Sequence, residues 1–549
     1  MKAKDRPDRG RRLDEPMTTY DAVIIGGGHN GLVCGAYLAK AGQKVLVLER
    51  RALIGGACVT EELWPGYHVS TASHMLGMMQ PRVVVDLELE KFGYGAIATP
   101  PGVHLIEGVG PVVLWQDAAK LQAEFARFSK RDAENYPKFQ AHLAKVAPHF
   151  QRLLWQVPPD PAKPGLRSLV GLARTALANR GLLPAFHDVT DLITMSAWDY
   201  LARWFESPEV LAILGYYPAA AAGQSNSIHD PGTAYFLLRN HLREPGFGPA
   251  GGTGLARGGM GSVTQAIAAS GRRYGLEIRE NAEVEEVLIE GARASGVRLI
   301  GGEIIRARSV ISNAATQHLF GDLVPESAAP EPFRREVTAI HSQSTAFKIH
   351  LAVDTPPPFT GLREAGYPHD APVQVTLAPS LDYIERAYHE MKLGELSSRP
   401  YMTVQCPTLI DPSLAPKGKH LLSLYGGHVP PAAKGERRGE NFREALFQRV
   451  LDTISAHAPG WDRVWHHRQI LLAEDYEEIF RLPGGSPHHG DLTPDQLFFR
   501  RPIRGFADYR TPVAGLYLCG ASAHPGGGVT GVPGYNAARV VGRDLGARL

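Results

Sequence analysis

Residues 26–31 read GGGHNG, with Gly26, Gly28 and Gly31 spaced as G-x-G-x-x-G and Asn30 beside the last. Each glycine has a physical task. Gly26 permits a tight turn, Gly28 lets the backbone approach a pyrophosphate, and Gly31 lets the next helix pack closely on its strand. Free amides at the start of that helix face phosphates, aided by the helix dipole. Glu49 follows at the distance where a carboxylate accepts hydrogen bonds from ribose hydroxyls and repels a 2′-phosphate. Three other residues suit proton or charge handling. His489, in an HHG stretch, titrates near neutrality and serves as acid, base or structural turn residue. His524, beside Pro525 and a glycine run, either contacts a cofactor and substrate or bonds to backbone. Lys348 lies inside the apolar run AFKIHLAV, where a lone ammonium is costly. It either orients water or charge at a redox centre or is an edge-strand lysine reaching solvent.

The turn needs a strand before it and a helix after it. YDAVII precedes it, LVCGAYLAKAG carries a helical pattern, and KVLVLE is a second apolar run ending at Glu49. Strand, glycine turn, helix, strand is the βαβ order of a dinucleotide unit. On this evidence alone NAD and FAD are equally good ligands.

The remaining composition narrows the function. A formal net charge of +2 over 549 residues gives no field for nucleic acid. Cys34, Cys58, Cys406 and Cys519 include no C-x-x-C pair, so neighbouring residues cannot exchange with a disulfide. Adjacent His466-His467 and His488-His489 do not face one way, and no metal site emerges. The polar stretch 1–17 reads as a disordered tail, acid-bearing and lacking a signal peptide's apolar core. These features fit a cytoplasmic or organelle-matrix protein that is not secreted.

Three distant segments carry a resemblance. Arg50 begins R-x-x-x-x-GG, ending at Gly55 and Gly56. GGMGS at 258–262 opens a helical stretch and is followed by ENAEVEEVLIEG. GLYLCGASAHPGGGVTG lies near the C-terminus. In this order they resemble the FAD-dependent amine oxidase and carotenoid desaturase superfamily. IIGGGHNGLVCGAYLAKAG and GGSPHHGDLTPDQLFFRRP are similar to its phytoene desaturase-like branch, which includes carotene ketolases and proteins with a pyridine nucleotide-disulfide oxidoreductase domain. The resemblance implies non-covalent FAD, with Val284 meeting the adenine and Gly520, Ala521, Gly528, Val529 and Thr530 closing over the ribityl chain and flavin. The covalent-flavin cysteine context of amine oxidases is not visible.

The expected fold is α/β: a Rossmann-like FAD-binding domain with a parallel sheet, joined to a mixed-sheet substrate domain with a helical cap. The cofactor domain is discontinuous over 18–90, 252–320 and 504–549, with 91–251 and 321–503 building the substrate domain. Residues 117–150 read as helix broken at Pro137, and 343–353 and 401–406 as strands. Residues 163–180 carry a basic amphipathic pattern that suits either a packed cap helix or peripheral contact with an anionic membrane. The implied activity is oxidation of a hydrophobic small molecule by hydride transfer to flavin, the electron acceptor being unspecified. Flavin-dependent amine oxidation is one alternative, and a non-catalytic binding protein on the same fold is another.

Overall fold

The computed structural model describes residues 19–158, 173, 177, 180–220, 224–238, 241–242, 254–461 and 464–547. The expected tail at 1–17 lies outside the described residues, as does most of 163–180.

Two seven-stranded sheets organise the chain. In the first, Tyr20–Ile25 is central and runs parallel to Val45–Leu48 on one side and Ile304–Ser312 on the other. Glu277–Arg279 extends the sheet beyond Val45–Leu48, and Leu516–Leu518 pairs with the end of Ile304–Ser312, both in parallel. Val284–Glu290 and Arg293–Leu299 add an antiparallel hairpin. Parallel strands covered on both faces read as unbroken apolar runs, and VLVL is wholly buried. Helix His29–Lys40 buries ten of its residues and packs against helices Gly261–Arg273 and Val532–Leu545. A helix so enclosed is apolar nearly all round.

The second sheet has the order Trp465–Leu471, Phe347–Val353, His420–Gly426, Met402–Gln405, Gln374–Leu377, Gly102–Ile106, Gly110–Leu114. It is mixed, because Gln374–Leu377 runs parallel to Gly102–Ile106 while its other neighbours are antiparallel. Phe347, Ile349, Leu351 and Val353 pack with Leu446, Phe447 and Val450 of helix Glu440–Ser455. Alternation then puts Lys348 and His350 on the opposite face.

Helices between residues 118 and 238 form the cap. Pro137 does not break its long helix, which runs Lys130–Leu154. The break falls at Ser129, whose hydroxyl caps the helix by accepting from Asp132 N at 3.1 Å. A proline at 137 removes the amide that would bond Ala133 O, and Gln122 Nε2 donates to that carbonyl instead at 2.9 Å. The strands expected at 343–353 and 401–406 are shorter, Phe347–Val353 and Met402–Gln405.

Candidate cofactor and active site

The glycine turn opens onto a groove of about 140 Å³. Gly26, Gly28, Asn30, Glu49, Arg50, Gly56, Val284, His489 and Ala521 all line it. A Cβ on Gly28 would come 2.7 Å from Asn313 Nδ2, and one on Gly31 would come 2.3 Å from Gly26 O. Both positions therefore need glycine for close approach. Gly55 N donates to Gly27 O at 2.8 Å, which fastens the second motif to the first. The Glu49 carboxylate is buried and accepts from Gly27 N and Arg51 N, each at 2.9 Å. Asn30 Oδ1 is buried with no partner among the described residues, an acceptor suited to a sugar hydroxyl.

Other predicted residues shape the groove without lining it. Gly520 packs on Asn313, where a Cβ would meet the carbonyl at 2.4 Å. Gly528 O bonds His29 Nε2 at 3.1 Å. Thr530 Oγ1 accepts from Val532 N at 3.1 Å and, with Val529, leads into helix Val532–Leu545. Arg50 reaches over to donate to Glu478 O at 3.1 Å and to Ile479 O. It thereby holds the end of helix Ala473–Phe480 against the groove, which Ile479, Phe480 and Arg481 line.

The three candidate chemical residues are not brought together. His489 lines the groove with a left-handed backbone, φ 58°. Burial first, then the Arg501 charge, pushes its pKa down to about 3, so its imidazole is neutral. His524 faces away from the groove: Nε2 bonds Leu153 O at 2.9 Å, and burial pushes its pKa down to about 4. Lys348 is fully buried on an interior strand, so the edge-strand reading is corrected. Its Nζ donates to Ser70 O at 2.8 Å and Ala72 O at 2.6 Å. Ser73 N in turn bonds Ala57 O at 3.0 Å, and Ala57 lines the groove. Lys348 thus sits one layer behind it.

Sequence reasoning missed Asn313 and Arg501. Asn313 touches three turn glycines and takes its register from Asn313 N donating to Ile25 O at 2.8 Å. The signal was its place at the end of the apolar run RSVIS. Arg501 is fully buried and donates to the carbonyls of His488, Gly490, Asp491, Gln496 and Ala521. It joins the HHG segment to the C-terminal loop. Burial pulls its pKa down to about 10, which leaves it charged at neutral pH. Burial first, then the neighbouring Cys34, remote in sequence, hold the Cys519 thiol well above its ordinary value. Both are wholly buried and so closed to disulfide exchange. Among the described residues no cluster of His, Cys, Asp or Glu could hold a metal, and no helix is long and apolar enough to cross a membrane.

A glycine turn in a parallel sheet, a groove built from remote segments and a second, mixed sheet are the fold of a nucleotide-dependent α/β protein. The chain matches the NAD(P)-binding Rossmann-like domain over residues 24–84 and the flavin containing amine oxidoreductase family over 201–541. It belongs to that flavin-containing family, and its cofactor is FAD. It is 37% identical to pyridine nucleotide-disulfide oxidoreductase domain-containing protein 2 of Rattus norvegicus, over 96% of this chain and 94% of that protein. It is 27% identical to a limonene dehydrogenase component of Castellaniella defragrans, over 96% and 95%. The fold also matches an oxidoreductase from Methanosarcina mazei with a TM-score of 0.62 at 18% identity, covering 95% of this chain and 99% of that one.

Proposed function

We propose that the protein oxidises an organic substrate with an apolar body, by desaturation or dehydrogenation, using non-covalently held FAD. The observation that carries this is one groove lined together by the glycine turn, Glu49, Val284, Ala521 and His489. Gly26 and Gly28 would lie along the pyrophosphate, Asn30 would accept from a sugar hydroxyl, and Glu49 and Val284 would face the adenosine side and Ala521 the ribityl side. Bound there, the flavin supplies the two-electron acceptor. A substrate C–H bond would break with its electron pair leaving as hydride, a proton would leave for solvent, and a C=C or C=O bond would form. Oxygen, a quinone or another acceptor then takes the electrons. His489, held neutral in the groove, can accept a hydrogen bond there but carries no charge to offset. Among the described residues no cysteine lines the groove, which supports non-covalent attachment. The apolar substrate body draws support from the full-length likeness to a relative named for limonene.

Anaerobic mixing of the FAD-loaded protein with terpenoid or polyene hydrocarbons, alcohols and amines tests this. Bleaching of the flavin band by a hydrocarbon or alcohol is the expected result. Bleaching by amines alone would establish the amine-oxidase alternative, and protein that purifies colourless and cannot be reconstituted would establish a binding role. Denaturation should release all the flavin to the supernatant; flavin left on the chain refutes non-covalent attachment.

A further inference from the structure

On the second sheet, the face turned away from the apolar core carries a polar row. His350 lies directly opposite Ser423, and Ser423 lies directly opposite Gln405. Residues paired across antiparallel strands point to the same side, so the three side chains converge. They border a small cavity of about 30 Å³ together with Ser70 and His74. Val69, Leu255, Met260 and Leu421 supply apolar wall.

Two polar atoms in this wall have no partner among the described residues: His350 Nδ1 and Ser423 Oγ. His350 is wholly buried and Ser423 is 6% exposed. Buried polar groups left this way are uncommon. The other ring nitrogen, His350 Nε2, lies 3.5 Å from Thr71 O, a contact that places its proton on Nε2 and leaves Nδ1 an acceptor. Burial first and then the charge of Lys348 hold His350 far below its ordinary pKa, in the neutral form. The missing partner must therefore donate to an imidazole nitrogen and bond a serine hydroxyl. No carboxylate lines the cavity, and Lys348 stands two residues from His350 on the same face. A cation finds nothing to pair with here.

We propose that this cavity is a binding site for the hydroxyl end of an organic molecule, an alcohol, with His350 Nδ1 accepting and Ser423 Oγ completing the pair. The proposal rests on the reading that the flavin oxidises an organic substrate, and names a group which that substrate carries. The space fits: a water needs roughly 10–15 Å³ by the same measure, so the cavity takes a hydroxyl and a carbon or two. Its mixed lining suits an alcohol carbon chain. Its position also fits, because segment 70–74 forms its wall on one side and bonds Ala57 of the cofactor groove on the other.

The test uses the full FAD-loaded protein and three probes of similar length: propan-1-ol, propylamine at pH 7 and 1-chloropropane. Ligand-observed saturation-transfer NMR gives their relative affinities. A site built to hydrogen-bond a hydroxyl rejects analogues that lack it, so propan-1-ol should bind at least ten-fold more tightly than either. Ser423→Ala should remove most of that preference; His350→Leu should do the same, and Ser423→Ala guards against a histidine variant that fails to fold. Equal binding of the three probes, or an unchanged preference in a folded Ser423→Ala protein, overturns the proposal. So does a crystal structure in which a water stays on His350 and Ser423 and no alcohol displaces it. The two readings fail separately. Alcohol binding without flavin bleaching by any substrate leaves this site standing and removes the oxidation. Bleaching that is equally fast for substrates with and without a hydroxyl keeps the oxidation and removes this site.

Discussion

Replacing Arg501 by methionine should cost the protein both its stability and its flavin. The guanidinium makes hydrogen bonds to five main-chain carbonyls, at 3.1–3.2 Å to Gln496 and Asp491, 3.1 Å to Gly490 and 2.9 Å to Ala521 at the shortest, with His488 completing the set. Methionine fills similar space and donates nothing. A buried acceptor deprived of its partner costs about 1–3 kcal/mol. Five such acceptors put the loss at about 5 kcal/mol or more, against a total stability of about 5–15 kcal/mol for a typical folded protein. Ala521 lines the cofactor groove, so the damage reaches FAD as well. Arg501→Lys keeps the charge and up to three donors but cannot span five acceptors, so it should fall between the two. The assay pairs thermal melting followed by circular dichroism with the ratio of flavin to protein absorbance after desalting. Arg501→Met protein that melts within about 2 °C of wild type and keeps a full complement of flavin refutes the idea that this residue fastens the two segments.

Gly31→Ala should yield protein without flavin, because its Cβ would sit 2.3 Å from Gly26 O; full yellow colour would count against this close packing. Glu49→Gln turns one acceptor facing Gly27 N or Arg51 N into a donor, and FAD titration of the apoprotein should show affinity lowered by about ten-fold or more. Stability should fall as pH drops from 7 to 5. Burial holds His104 and His524 at about 4 in the folded chain, below their ordinary value near 6.5, so the unfolded chain binds more protons in this range. By linkage each contributes a loss of about 2 kcal/mol at pH 5, and urea titrations that give equal stability at both pH values would exclude neutral buried histidines.

The cofactor half of the fold was legible because its physics is local. A turn, the helix it starts and the apolar runs on either side lie within thirty residues or so of sequence, and the glycines mark where side chains cannot fit. The substrate half was less so. AFKIHLAV alternates Lys348 and His350 with Phe347, Ile349 and Leu351, as a strand with one wet face would. Its interior position comes from neighbours far away in sequence, Trp465–Leu471 and His420–Gly426, and no local pattern reports them. Arg501 hid for a different reason. Its carbonyl partners His488, Gly490, Asp491 and Gln496 all lie shortly before it in sequence, but an arginine in FFRRP reads as surface charge, and no periodic pattern reports that the loop folds back around it. Pro137 misled because proline removes one hydrogen bond, and Gln122 on the preceding helix replaces it.

The pairing of helix His29–Lys40 with helix Val532–Leu545 sets an order of events in the cell. The two pack together, and Gly534 lies so close that a Cβ would come 2.2 Å from Asn30 O. The parallel partner Leu516–Leu518 also arrives late. While the ribosome is still making the middle of the chain, the glycine turn already exists but its neighbours do not. Contacts between such remote residues are slow to form, and exposed apolar surface in the interval invites aggregation. The groove's last lining residue is Ala521, so a nascent chain cannot complete it until that residue has left the ribosome, and flavin capture should be a late event of synthesis. Shortages of flavin should accordingly show first as chains that have finished translation yet remain open to chaperones and proteases.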